Sequence, residues 1–163
     1  MSKKVLFEPN ICVGCEECVR ACARWHEGET NAYVEQVGVY NIPMRCMHCA
    51  DAPCAQICPV KAISINEDGI VLVDKSKCIG CGSCLLVCPF GIPRIDLSSK
   101  IMRKCDLCID RLKEGKQPAC VQFCSVGALQ LVDPEEIEKR RRQKVASKLN
   151  ELQNQPNVLP EVK

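Results

Sequence analysis

The chain has 163 residues and a formal charge of +2, and sixteen of its residues are cysteine. That length suits one compact domain or two fused small ones, yet one Trp, two Tyr and three Phe are too few to fill an ordinary core. Such a cysteine density implies disulfides or bound metal. No apolar run reaches the roughly 18 residues of a membrane helix. The stretch from Met1 to Pro9 is too short and too polar for a secretory signal. The expectation is a cytoplasmic chain whose thiols stay reduced and available as ligands.

Val5-Leu6-Phe7 reads as a short strand feeding the loop Pro9-Asn10-Ile11-Cys12. That loop opens a first quartet, Cys12, Cys15, Cys18 and Cys22, spaced C-x2-C-x2-C-x3-C. A second quartet, Cys46, Cys49, Cys54 and Cys58, is spaced C-x2-C-x4-C-x3-C. Residues 62–65 and 70–73 flank the turn Asn66-Glu67-Asp68-Gly69 and read as a hairpin. It leads into the third quartet, Cys78, Cys81, Cys84 and Cys88, which repeats the first spacing. The fourth, Cys105, Cys108, Cys120 and Cys124, is spaced C-x2-C-x11-C-x3-C and is followed by an exit strand at 128–131. Asp133-Pro134-Glu135-Glu136 then starts a helix, with Asp at the N-cap, Pro at N1 and Glu at N3. It runs to about Leu152, and Pro156 and Pro160 forbid much extension. No cysteine is left outside the quartets.

The spacing has a chemical cause. Two residues between cysteines let the backbone wrap one iron–sulfur cubane, with inward amides free to hydrogen-bond its sulfides. Three residues before the last cysteine make one helical turn, which aims that thiolate away from its own loop. In bacterial two-cluster ferredoxins this fourth cysteine ligates the other cluster, and a proline follows it. Cys58-Pro59 and Cys88-Pro89 keep that proline, whereas Ala23 and Ser125 replace it in the first and fourth quartets. Zinc sites use two separated C-x2-C pairs and do not match this pattern. Four quartets therefore predict four [4Fe-4S] clusters. With about 2+ on each oxidised core and sixteen thiolates, the holoprotein carries about −6. The basic residues then serve as counter-charge, not as a nucleic-acid patch.

Short strands, ligand loops and one-turn helices predict an α+β class built of bacterial ferredoxin-like modules, plus a C-terminal helix. A tandem arrangement pairs the first quartet with the second and the third with the fourth. The hairpin at 62–73 instead joins the second and third directly, leaving the first and fourth as an outer module. The four quartets, the long gap from Cys108 to Cys120 and the segment Cys46-Met47-His48-Cys49…Pro53-Cys54 carry a family resemblance over residues 1–132. The chain resembles the four-cluster ferredoxin-like subunits of molybdopterin oxidoreductases and hydrogenases. These serve dimethyl sulfoxide reductase, formate dehydrogenase and formate hydrogenlyase.

The resemblance implies the nested pairing with crossed fourth ligands. The outer module is then 1–40 with 89–132, the inner module 41–88, and 133–163 a helix and tail. One outer cluster takes Cys12, Cys15, Cys18 and Cys124, and the other Cys105, Cys108, Cys120 and Cys22. One inner cluster takes Cys46, Cys49, Cys54 and Cys88, and the other Cys78, Cys81, Cys84 and Cys58. The resemblance also implies a non-catalytic electron-transfer subunit. Its partners are catalytic redox subunits: a molybdenum or tungsten pterin formate dehydrogenase, an iron hydrogenase, or both. Homologous ferredoxin-like subunits are further partners. A free polyferredoxin and an assembly subunit are the competing readings.

Few other residues invite chemistry. There is no nucleophile–base pair, phosphate loop or G-x-G-x-x-G. Gly80 and Gly82 serve a ligand loop. His48 sits between ligands of a complete cysteine quartet, so packing or hydrogen bonding is expected of it, as loop packing is of His26. Trp25 fills core or meets a partner. The basic residues from Lys100 to Lys116 form a steering patch or a solvated face balancing cluster charge. Ile137, Val145, Leu149 and Leu152 make a thin apolar stripe, interrupted by Arg141. It rests on the protein's own body or on a neighbouring subunit, in which case it drives oligomers or filaments.

Overall fold

The structure is a computed structural model in which residues 3–153 are described. Met1, Ser2 and the tail 154–163, with Pro156 and Pro160, lie outside the described residues. Strand β1 (Lys4–Phe7) leads through a 3-10 turn (Pro9–Ile11) into helix α1 (Glu17–Trp25). A hairpin follows, β2 (Tyr33–Val37) and β3 (Tyr40–Met44), then α2 (Pro53–Gln56), β4 (Ile63–Ile65), β5 (Val71–Val73) and α3 (Ser83–Val87). Next come β6 (Arg94–Ile95), β7 (Met102–Arg103), α4 (Ile109–Lys113), α5 (Ala119–Gln122), β8 (Leu129–Val132) and α6 (Pro134–Gln153).

The described strands form four antiparallel two-stranded sheets. The β4–β5 hairpin is closed as the sequence predicts. Gly69 takes φ +68°, its amide donates to the Asn66 carbonyl at 2.9 Å, and the Asn66 side chain accepts from the Ile70 amide at 2.7 Å. The chain ends are joined differently: β1 pairs with β8, Val5 opposite Leu131 and Phe7 opposite Leu129. The β2–β3 and β6–β7 hairpins are additions that the cysteine pattern does not announce.

Apolar clusters form around the ligand helices. Ala52, Ile63, Val71, Cys84 and Met102 make one, with Cys54, Cys58, Cys78 and Ile95 against it. The hairpin at 94–103 thus packs beside the second and third quartets. Cys120, Val121 and Leu129 make another, with Val5, Phe7, Cys18 and Cys124 against it. Ala21 of α1 meets Ala119 of α5 and Cys108, small side chains that let backbones approach closely. Helix α6 leans on the β1–β8 sheet near its start, where Arg140 donates to Gln130 at 2.8 Å. Beyond that, Val145 and Leu149 are more than half exposed. Glu136–Arg140 and Glu138–Arg142 pairs line its surface.

Candidate functional site

The four ligand loops share one backbone device. The residue just before the second cysteine is left-handed in every quartet: Gly14 (φ +68°), His48 (φ +47°), Gly80 (φ +67°) and Leu107 (φ +59°). This turn folds the C-x2-C segment back on itself, so that an amide reaches the first sulfur. The His48 amide lies 3.4 Å from Cys46 Sγ, and the Leu107 amide 3.4 Å from Cys105 Sγ. Helices α1, α2, α3 and α4 then begin from a second left-handed residue: Glu16, Ala52, Gly82 and Cys108. At Gly80 the turn has no alternative, because an added Cβ would overlap the Lys100 carbonyl.

The cysteines converge across quartets. One cavity is walled by Cys78, Cys81 and Cys84 together with Cys58, and by Ile63, Ile95 and Met102. A second is walled by Cys46, Cys49 and Cys54 together with Cys88, and by Val71, Ile92 and Lys104. In each, three thiols come from one quartet and the fourth from its neighbour. Among the first and fourth quartets, Cys18 is an electrostatic neighbour of Cys15 and Cys124, and Cys108 of Cys120 and Cys22. Further backbone amides reach sulfur: Asn31 to Cys22 at 3.3 Å, Ala62 to Cys58 at 3.3 Å, and Met102 to Cys78 at 3.4 Å.

Burial holds several of these thiols protonated. It pushes Cys108 up to about 12, and Cys84 and Cys120 up to about 11. It raises Cys105 well above the ordinary thiol value. Neighbouring thiols add to the effect. Such groups ionise only when positive charge enters among them, as on metal binding. Surface Cys81 goes the other way, lowered by its hydrogen bond with the Ser83 hydroxyl. All sixteen cysteines are free. Thiols converging four at a time in two cavities, amides on sulfurs and apolar walls fit a cysteine-ligated iron–sulfur core.

The chain matches one 4Fe-4S dicluster domain family over residues 37–134 and another over 4–59. It belongs to the 4Fe-4S dicluster family. Two dicluster regions and sixteen cysteines correspond to four [4Fe-4S] clusters in an electron-transfer protein. An uncharacterized ferredoxin of Methanocaldococcus jannaschii is 42% identical, covering 87% of this chain and 80% of that one. A chain of the anaerobic dimethyl sulfoxide reductase of Escherichia coli is 34% identical, covering 82% of this protein and 75% of that one. The formate dehydrogenase iron-sulfur subunit of Haemophilus influenzae is 34% identical over 86% of this chain, which spans about half of that subunit's length, 54%.

Of the other residues that the sequence singles out in this dicluster chain, the basic segment departs from its reading, whereas His48 is packed and hydrogen-bonded as expected. The basic segment 100–116 is not one solvated face. Lys104 and Arg111 are buried, and Arg103 is ion-paired with Glu29 at 2.5 Å. Lys113 and Lys116 pair with Asp110 and Glu114. Sequence spacing cannot separate these fates, because the long cysteine gap folds as the short helix α4 and a turn before α5, and not along one helix. Trp25 is exposed, with the Arg111 guanidinium over its ring at 4.6 Å. His48 is buried, and its Nδ1 accepts from the Val71 amide at 3.1 Å. Burial, with the charges of Lys104, Lys4 and Arg45, lowers it to about 3, so it stays neutral. His26 lies 3.5 Å from Asp106 and 3.8 Å from Cys108 Sγ. Among the described residues no helix is long and apolar enough to cross a membrane. Sequence reading missed the buried Arg45 and Lys104. Their signal was a basic residue directly before Cys46 and before Cys105.

Proposed function

We propose that the sixteen cysteines hold their four clusters in crossed sets. One set is Cys12, Cys15, Cys18 and Cys124, and another is Cys105, Cys108, Cys120 and Cys22. The third is Cys46, Cys49, Cys54 and Cys88, and the fourth Cys78, Cys81, Cys84 and Cys58. The observation that carries this reading is the pair of cavities in which three thiols of one quartet meet the last thiol of the other. The β1–β8 pairing and the α1–α5 contact support an outer module around an inner one closed by the β4–β5 hairpin. When bound, the clusters supply one-electron storage and transfer. The chain's own work is to hold the thiolates, donate amides to sulfur and keep water out.

The chain then serves as a non-catalytic subunit joining catalytic redox subunits, of formate dehydrogenase and hydrogenase type. Fully cysteine-ligated sites leave no open iron for a substrate. Anaerobic quantitation of iron and sulfide, with EPR, tests the ligand reading. About sixteen irons per chain are expected for four cubanes, and Cys88→Ser is expected to lose the cluster shared with Cys46, Cys49 and Cys54. Loss instead of the cluster on Cys78, Cys81 and Cys84 would sink the crossing. Purification from the native host tests the subunit reading: a large catalytic chain is expected to come with it. Recovery of the chain alone would favour a diffusible carrier, a reading also supported by the likeness to the Methanocaldococcus jannaschii ferredoxin of similar extent. The exposed Val145 and Leu149 leave α6 a route to a neighbouring subunit. Removing residues 134–163 and finding an unchanged mass by light scattering would dismiss a role in assembly.

A further inference from the structure

Two cations stand where the two groups of quartets meet. Arg45 and Lys104 are 5% and 7% exposed, and neither forms an ion pair among the described residues. A buried charge without an opposite charge is expensive. Backbone carbonyls solvate both groups without neutralising them. Arg45 donates to Val5 O at 2.6 Å and Pro43 O at 3.1 Å. Lys104 donates to Cys105 O at 3.0 Å and to Val71 O. The missing negative charge must come from something bound.

Each cation precedes the first cysteine of its own quartet and faces the other quartet. Lys104, next to Cys105, walls the cavity of Cys46, Cys49, Cys54 and Cys88. Arg45, next to Cys46, has the sulfurs of Cys120, Cys105 and Cys18 as its electrostatic neighbours. The Cys46 and Cys105 sulfurs are themselves neighbours, so the two ligand groups meet at this seam.

We propose that Arg45 and Lys104 are exchanged counter-charges. Lys104 neutralises the cluster on Cys46, Cys49, Cys54 and Cys88, Arg45 neutralises the cluster on Cys22, Cys105, Cys108 and Cys120, and each raises the reduction potential of the cluster it faces. The proposal rests on the crossed ligand sets given above. Four thiolates around a 2+ core leave about −2, and reduction brings this to about −3. A fixed cation in a low-dielectric seam therefore favours the reduced form, and does so more strongly than a surface lysine. The exchange also screens two anionic centres from each other where they are nearest.

The test is an anaerobic redox titration followed by EPR on holoprotein of Lys104→Met, Arg45→Met and the double variant. Iron content near wild type shows that the clusters remain loaded, and the Cys88→Ser experiment above decides the ligand sets independently of the potentials. Each single variant is expected to lower the potential of one component most, a different one in each case, and the double variant both. Lys104→Arg and Arg45→Lys are expected to keep wild-type potentials. Unshifted potentials in the Met variants, or equal shifts in the charge-keeping pair, would overturn the proposal. If the Met variants fail to load iron, loading decides: iron retained by the charge-keeping pair supports counter-charge, and iron lost from that pair as well refutes it.

Discussion

The first and third ligand loops differ from the second and fourth in one systematic way. The first and third place glycine at the left-handed position, and their second cysteines, Cys15 and Cys81, are exposed. The second and fourth place a full side chain there, His48 at 2% exposure and Leu107 at 4%, behind a buried cation. A left-handed non-glycine residue costs about 1–2 kcal/mol. Burial repays it: His48 accepts from Val71, and Leu107 borders a cavity with Ile70, the residue before β5. The same turn is thus made cheaply where nothing packs on it and expensively where the loop must fill a seam.

This contrast is open to attack by mutation, read as the temperature at which cluster absorbance bleaches. Leu107→Ala is expected to be the worst, losing about 2–5 kcal/mol of seam burial while keeping the strained turn. A cost below about 1 kcal/mol would mean that the seam is not what holds this loop. Gly80→Ala comes next, at about 2–4 kcal/mol, since the left-handed penalty adds to overlap with the Lys100 carbonyl, a backbone atom that cannot step aside. Gly14→Ala sharpens the point. The atoms nearest its added Cβ belong to the Asn41 side chain, which can rotate, so about 1–2 kcal/mol is expected. Parity between the two glycine variants would show that the Lys100 approach is unimportant. Leu97→Ala, at an 83% exposed turn position, should change stability by less than about 0.5 kcal/mol.

Much of the fold was legible because ligand spacing is a strong local signal. The hairpin at 62–73 announced itself by its Asn66–Gly69 turn, and the C-terminal helix by Asp133-Pro134. The hairpins at 33–44 and 94–103 were not legible. β6 and β7 have two residues each, too few to show a period, and β3 contains Pro43, which argues against a strand. The crossed convergence of Cys58 and Cys88 followed from family resemblance, and its geometry needed three dimensions. The fate of the basic residues was illegible, because Lys100 and Lys104 look alike in a sequence.

By itself the sequence determined the chemistry. Sixteen thiols in four quartets specify how many clusters the chain takes and what kind, since the x2 and x3 spacings act within a loop or a single helical turn. Only the tertiary structure decided the environment. Which loops face solvent, which meet at a seam and which cations are buried there depend on β1 finding β8 across the whole domain. Burial sets the strength of every charge, and burial is a property of the folded chain, not of any segment.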